Sequence, residues 1–244
     1  MWYYITWKRE RITKEFKLSA VCGGLKGEEQ MEILGCLLIG YLIGAFSPSY
    51  IIGMLNGYDI RKKGSGNAGA SNVIILKGKK IGAFCAILDI AKACLALWIT
   101  GKLFPEFRYA FPITGTSCIL GHIFPFYLKF RGGKGLACLG GVILMTDVRL
   151  FLVMLSIELV IVLIVNYLCV VPMSASVAYA LIYGAMNQDI LAAGIFMIAA
   201  VVMLFKHMDN LQRIKNGTEV HFSYLWNKDK EIARIKENGA VEGK

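Results

Sequence analysis

Three short segments of the chain bring together groups able to hold an anion. The first reads Asp59-Ile-Arg-Lys-Lys-Gly-Ser-Gly-Asn-Ala-Gly-Ala-Ser-Asn72. Glycine lets successive backbone N–H groups turn into one concavity; Ser65, Asn67, Ser71 and Asn72 add neutral donors, and Arg61 to Lys63 add charge. The plain alternative is an ordinary polar loop. The second segment runs from Gly121-His122 to Gly135 and sets Gly132, Gly133 and Gly135 around Lys134, with Arg131 alongside. It has the physics of a phosphate loop without the GxxxxGK[ST] spacing; the alternative is a basic hinge between two membrane spans. The third runs from Lys206-His207 to Glu219. If the preceding helix continues, Lys206, Asn210 and Arg213 fall at i, i+4 and i+7 with His207 on the same stripe. Asn216-Gly217 would then end that helix. Its alternative is a solvated helix end facing lipid headgroups.

The elements that must position these groups are membrane helices. Of 244 residues, 56% are apolar and 18% charged, and the mean hydropathy is +0.56. A soluble domain has about 45–50% apolar and about 25% charged residues, so disorder, collagen and secreted disulfide scaffolds are excluded. The net charge of +10 fits cytoplasmic loops of a membrane protein, anionic lipid or a phosphorylated substrate better than nucleic acid. The seven cysteines form no Cys-x-x-Cys pair and no cluster with histidine, so no metal or redox site is expected.

Apolar runs cover 34–54, 81–99, 109–128, 136–146, 150–168, 171–186 and 190–205. The expected fold is therefore all-α and polytopic with seven transmembrane helices. The fourth and sixth runs are short for a bilayer, and five spans remain if both drop out. Positive loops at 56–80 and 129–134 and the tail after Phe205 put the three segments on the cytoplasmic side, the amino terminus outside and the carboxyl terminus inside. Residues 1–30 fit neither a span nor a signal peptide and read as a doubtful extension, or else as an amphipathic surface anchor. Lys26-Gly27-Glu28-Glu29 can be encoded by a purine-rich stretch resembling a ribosome-binding site, which makes Met31 the expected start. The membrane domain is expected over 31–206 and a cytoplasmic segment over 207–244. Asp89 and Lys92, at i, i+3 inside the second span, are expected to pair with each other. His122 reads as either a core or a catalytic histidine, and Glu158 has no visible partner.

Together the three segments resemble the bacterial acyl-phosphate-dependent glycerol-3-phosphate acyltransferases, the PlsY family. The resemblance spans Met31 to Ser223 and rests on Gly-Ser-Gly-Asn-x-Gly-Ala at 64–70, Gly-His-x-x-Pro with Phe-x-Gly-Gly-Lys-Gly at 121–135, and Lys-His-x-x-Asn with Gly-x-Glu at 206–219. Leu88-Asp-x-x-Lys92 also matches. The resemblance implies a monomeric enzyme of the bacterial inner membrane, with no cofactor. It would move an acyl group from fatty acyl phosphate to the 1-hydroxyl of glycerol 3-phosphate, giving lysophosphatidic acid and phosphate. It further implies that Ser65, His207 and Asn210 act at the reacting groups. Gly64, Gly66, Asn67, Asn72, Gly132, Gly133, Lys134, Gly135 and Lys206 would hold the substrates and their phosphates, and Glu219, Asp89 and Lys92 would brace the site.

The chain departs from the family pattern at Ile75 and Met208, where arginine is usual, and in Lys206, Ser71 and Ala93. Losing a bidentate phosphate donor at 75 is not conservative, so an inactive relative or a different phosphorylated acceptor stays open; Lys77 could partly replace the arginine. HxxxxD, the mark of soluble-domain glycerolipid acyltransferases, is absent: Tyr127, Gln212 and Trp226 stand five residues after His122, His207 and His221. A transporter of phosphorylated small molecules is the other class, but no internal repeat is visible.

Overall fold

The computed structural model describes residues 27–242. The expectation for residues 1–30 lies outside the described residues apart from 27–30, which are helical. Of the described residues, 32–242 form one compact unit. The described chain is all-helical: α1 (Gly27–Ala45), α2 (Pro48–Leu55), α3 (Ala70–Lys77), α4 (Lys79–Leu103), α5 (Ala110–Ile123), α6 (Leu136–Thr146), α7 (Val148–Val165), α8 (Val170–Asn187), α9 (Ile190–Lys206), α10 (Met208–Lys215) and α11 (Lys228–Glu242).

Among the described residues, five segments are long and apolar enough to cross a bilayer: α1 with α2, α4, α7, α8, and α9 with α10. This corrects the expectation about the short spans. The run at 171–186 forms a helix of 18 residues, whereas the run at 109–128 shrinks to the 14 residues of α5. With the 11 residues of α6, the short pair is the third and fourth runs. At about 1.5 Å per residue both fall well short of the roughly 30 Å of a hydrocarbon core. They can be short because protein surrounds them: most of α5, from Thr114 to Ile123, is buried except Leu120.

The first span is broken at Phe46-Ser47, where Pro48 opens α2 and cannot continue the preceding ladder. The released carbonyls do not go unpaired. The Tyr127 hydroxyl donates to Ala45 O at 2.8 Å and Lys92 Nζ to Phe46 O at 2.5 Å. Above the break, α1 presents Gly40 and Gly44 to α5 at small-xxx-small spacing, which permits backbone contact in a membrane. A Cβ on Gly40 would lie 2.6 Å from Thr114 O, and one on Gly44 would overlap the Cys118 carbonyl. The main core lies among α4, α5, α6, α8 and α9 and includes Ala93, Ile119, Cys138, Val142, Tyr179 and Phe196. Glu158 of α7, without a partner in sequence, accepts from Ser174 Oγ of α8 at 2.8 and 3.0 Å.

Gly44→Val should push α1 off α5 and lower stability by about 1–3 kcal/mol. Gly194→Ala, where an added Cβ meets nothing within 4 Å, should leave the thermal midpoint of detergent-purified protein unchanged or raised.

Candidate active site

The first glycine loop is folded around one side chain. Asn72, fully buried in the first turn of α3, accepts from the Ser65 N–H at 2.8 Å. Its Nδ2 donates to the carbonyls of Ile60, Lys63 and Asn67, each at 2.9 Å. Two hydrogens shared among three acceptors leave no donor over. Asn72 therefore shapes the loop and has nothing to offer a phosphate, which corrects its expected role. Gly64, at φ +60, is required at its place because a Cβ there would strike Asn72 Oδ1. Ser65 stays exposed, its hydroxyl making no hydrogen bond among the described residues. Arg61 Nη2 pairs with Asp59 Oδ2 at 2.7 Å and Arg61 Nη1 donates to Leu128 O at 2.6 Å, tying this loop to the second. The Arg61 hydrogen bond holds the Asp59 carboxyl below its ordinary pKa.

The second loop doubles back onto the end of α5. The N–H groups of Gly132 and Gly133 donate to Ile123 O at 3.0 Å and His122 O at 3.1 Å. Those two amides cap α5 and are not free to cradle an anion, a second correction; what the glycines supply is close approach. A Cβ on Gly133 would overlap the His122 ring. Beneath that ring lies a buried ionic cluster. Lys92 Nζ is 2.7 Å from Asp89 Oδ1, the pair expected from sequence, and 2.9 Å from His122 Nδ1, itself 3.3 Å from Asp89 Oδ1. Asp89, His122 and Cys138 are close enough together to ligate a metal, but the Lys92 ammonium already lies against two of these groups and would repel a second cation.

The third segment is interrupted at His207, so α9 and α10 are separate helices. Lys206 Nζ sits over the Phe124 ring at 4.6 Å and does not join Asn210 and Arg213, contrary to the single stripe expected. Asn210 Oδ1 instead accepts from the Lys134 ammonium. Asn210 Nδ2 donates to Glu219 Oε1 at 2.5 Å, and Arg213 Nε donates to Glu219 Oε2 at 2.7 Å. Gly217, at φ +68, makes the turn that returns Glu219 to Asn210. His207 Nδ1 lies 2.7 Å from Met203 O. A carbonyl only accepts, so Nδ1 bears the hydrogen and Nε2 keeps a lone pair.

The three segments thus meet. A Cβ on Gly69 would be 3.9 Å from Gly133 Cα, and Lys134 reaches Asn210. Both α3 and α6 open on glycines, Gly69 and Gly135, with no side-chain cap. Two positive helix ends therefore stand beside Lys134 with uncapped N–H groups. Burial, and then the Arg213 charge, hold the Lys134 pKa below its ordinary value. Ile75 lines a cleft with Ile74, Tyr224 and Leu225. Lys77 donates to Asn56 Oδ1 at 2.6 Å, so it does not take the place of an arginine at 75. Sequence reasoning missed the Arg61 tie and the third member of the ion cluster, both set by long-range contacts.

A sequence model described as glycerol-3-phosphate acyltransferase matches residues 34–217. The glycerol-3-phosphate acyltransferase of Exiguobacterium sibiricum is 35% identical over 214 residues, covering 82% of this chain and 98% of that protein. That of Lactiplantibacillus plantarum is 34% identical over 207 residues, covering 84% and 100%. The crystal structure of PlsY, an integral membrane glycerol 3-phosphate acyltransferase, in its glycerol 3-phosphate form superposes with a TM-score of 0.72 at 28% identity. It covers 79% of this chain and 96% of that one. The lysophosphatidic acid form gives a TM-score of 0.69.

Gly133→Ala drives a methyl group into His122 and should displace Lys134. Turnover is expected to fall about 100-fold or more with the thermal midpoint lowered, read in a detergent activity assay alongside a melting curve.

Proposed function

The chain belongs to the glycerol-3-phosphate acyltransferase family, and from that premise we propose that it acylates the 1-hydroxyl of glycerol 3-phosphate using a fatty acyl phosphate. The hydroxyl oxygen attacks the acyl carbon, the acyl–phosphate C–O bond breaks, and the hydroxyl proton leaves with the departing phosphate. Lysophosphatidic acid and inorganic phosphate result. A mixed anhydride is already activated, so no side-chain nucleophile is needed; positioning and charge stabilisation supply the rate. The observation that carries this reading is the meeting of Lys134, Asn210 and Glu219 with the uncapped starts of α3 and α6.

In this reading Lys134, Gly135, Gly66, Asn67 and the α3 and α6 amides hold phosphate. The exposed Ser65 hydroxyl and His207 Nε2 face the reacting groups, with Nε2 accepting from the acceptor hydroxyl. Asn210 sets Lys134, Glu219 sets Asn210, and Lys206 stands at the rim. Gly64, Gly132 and Gly133 shape the two loops, and the Asp89, Lys92 and His122 cluster supports the second from below. The acyl tail lies in the open apolar groove lined by Leu42, Phe46, Tyr50, Met54, Phe126 and Tyr127 beside the site.

In this reading the chain lies in the inner membrane of a bacterium, with the amino terminus outside and the site on the cytoplasmic side. Arg61, Lys62, Lys63, Lys129, Arg131 and Arg213 gather at that end, as positive-inside bias requires. In this reading the enzyme works as a monomer.

Purified protein should release phosphate from palmitoyl phosphate only when glycerol 3-phosphate is present. Lys134→Ala should lower kcat/KM for glycerol 3-phosphate by about 100-fold or more, while Ile75→Arg should change it by no more than about threefold, because residue 75 lines the cleft with Tyr224 and Leu225. Turnover that appears only after Ile75→Arg would overturn the reading. The depressed Lys134 pKa gives a second test. A neutral amine cannot hold a dianion, so affinity for glycerol 3-phosphate should begin to fall at a lower pH than the loss of charge from an ordinary lysine would allow. In Lys134→Arg that fall should vanish, as titration calorimetry can show.

A further inference from the structure

Beyond Gly217, where the family match ends, the chain folds back to the site. The Phe222 and Ser223 N–H groups donate to Asn166 O at 2.7 Å and Asn166 Oδ1 at 2.9 Å, in the turn between α7 and α8. His221 Nε2 lies 3.1 Å from the Tyr167 hydroxyl in that same turn. Tyr224 and Leu225 close a cleft against Ile74 and Ile75 of α3. From α11, the buried Glu231 accepts from the His221 N–H at 2.8 Å and from Arg234 Nη2 at 2.6 Å. Arg234 then reaches two carbonyls of one tight turn: Nη1 donates to Gly217 O, and Nη2 to Glu219 O at 2.6 Å. Asn238 Nδ2 adds a bond to Gly217 O at 2.8 Å.

This geometry differs from an ordinary surface ion pair. A planar guanidinium fixed by a buried carboxylate makes charge-assisted bonds on both sides of Thr218, which sets the direction of the Glu219 side chain. Burial by itself would raise the Glu231 pKa, but the bonds from Arg234 and the His221 amide outweigh it and hold the carboxyl below its ordinary value. The clamp therefore stays ionised at neutral pH. From Glu219 the connection runs to Asn210 and then to Lys134.

We propose that α11 is a positioning strap: Arg234, oriented by Glu231, fixes the Gly217–Glu219 turn and thereby holds Asn210 and Lys134 ready for the phosphate of glycerol 3-phosphate. The inference rests on the functional reading above. Loosening the strap lowers the fraction of molecules with Lys134 in place, and apparent affinity falls by that same fraction. Molecules that do bind substrate re-form the site, so the chemical step is spared.

The test uses the full chain in detergent, with Arg234→Ala, Arg234→Lys and Asn238→Ala. Arg234→Ala should raise KM for glycerol 3-phosphate about five- to tenfold with kcat within about twofold, as a drop in the competent fraction requires. Arg234→Lys should recover part of that rise, and Asn238→Ala, which keeps the guanidinium, should produce a smaller one. If Arg234→Ala yields too little folded protein, the lysine and Asn238 variants carry the same test. Hydrogen exchange reads the strap without turnover. The Thr218 and Glu219 amides, which donate to Arg213 O at 2.8 and 3.1 Å, should exchange about tenfold faster in Arg234→Ala. Unchanged KM, even with faster exchange, would reduce the strap to a structural feature and overturn the proposal, as would unchanged exchange. A wild-type protein with no glycerol 3-phosphate turnover would instead sink the functional reading, with exchange still deciding whether the turn is clamped.

Discussion

A backbone carbonyl inside a bilayer has no water to turn to, so each helix break must find its partner within the protein. That constraint organises this molecule. The chain breaks its helices at Phe46-Ser47, over 124–135 and at His207. Side chains from elsewhere in sequence meet several of the exposed carbonyls. Tyr127 serves Ala45, Lys92 serves Phe46, Tyr41 serves Phe124 at 2.7 Å, and Arg61 serves Leu128. These bonds lock α1, α4, α5 and the two glycine loops into one frame, and the break over 124–135 leaves the uncapped start of α6, on which an anion can rest. The helix irregularities and the site have a common cause.

The electrostatics follow from that frame. Lys134 and Arg213 stand close to Glu219, with Asp209 also within reach of Lys134, and the proposed phosphate would add negative charge to this basic centre. Below it, Asp89, Lys92 and His122 form a buried set in which Lys92 lies against both partners, although Asp89 Oδ1 makes no hydrogen bond among the described residues. Removing one would strand the others, which is costly in low dielectric. The buried set lies against the Gly133 backbone through His122, while the upper set is the one proposed to take substrate. Nothing in the proposed chemistry demands a nucleophile, because the donor is activated before it binds.

Much of this was legible in sequence. The three motifs, their shared face, the Asp89–Lys92 pair, the Gly217 stop and the all-helical membrane class follow from local pattern and loop charge. Which spans were short did not, because α5 and α6 are shortened by what surrounds them and their own apolar runs conceal it. The role of Asn72 also escaped. An asparagine in a glycine loop looks like a ligand donor, and only the folded loop shows its amide committed to Ile60, Lys63, Asn67 and Ser65. Lys206 was misread because a one-residue interruption at His207 turns it toward Phe124, a change that helical spacing cannot register. The partner of Glu158 and the tie from Arg61 to Leu128 are set by tertiary packing alone.

The central claim is that the second and third segments act as one phosphate-holding unit through the contact between Lys134 and Asn210. A double-mutant cycle of Lys134→Met and Asn210→Ala, read as glycerol 3-phosphate affinity by titration calorimetry, measures that claim directly. Coupling of about 1 kcal/mol or more, with the double variant scarcely worse than Lys134→Met, is the predicted result. Additive losses, with coupling near zero, would contradict it and make the two segments independent contributors.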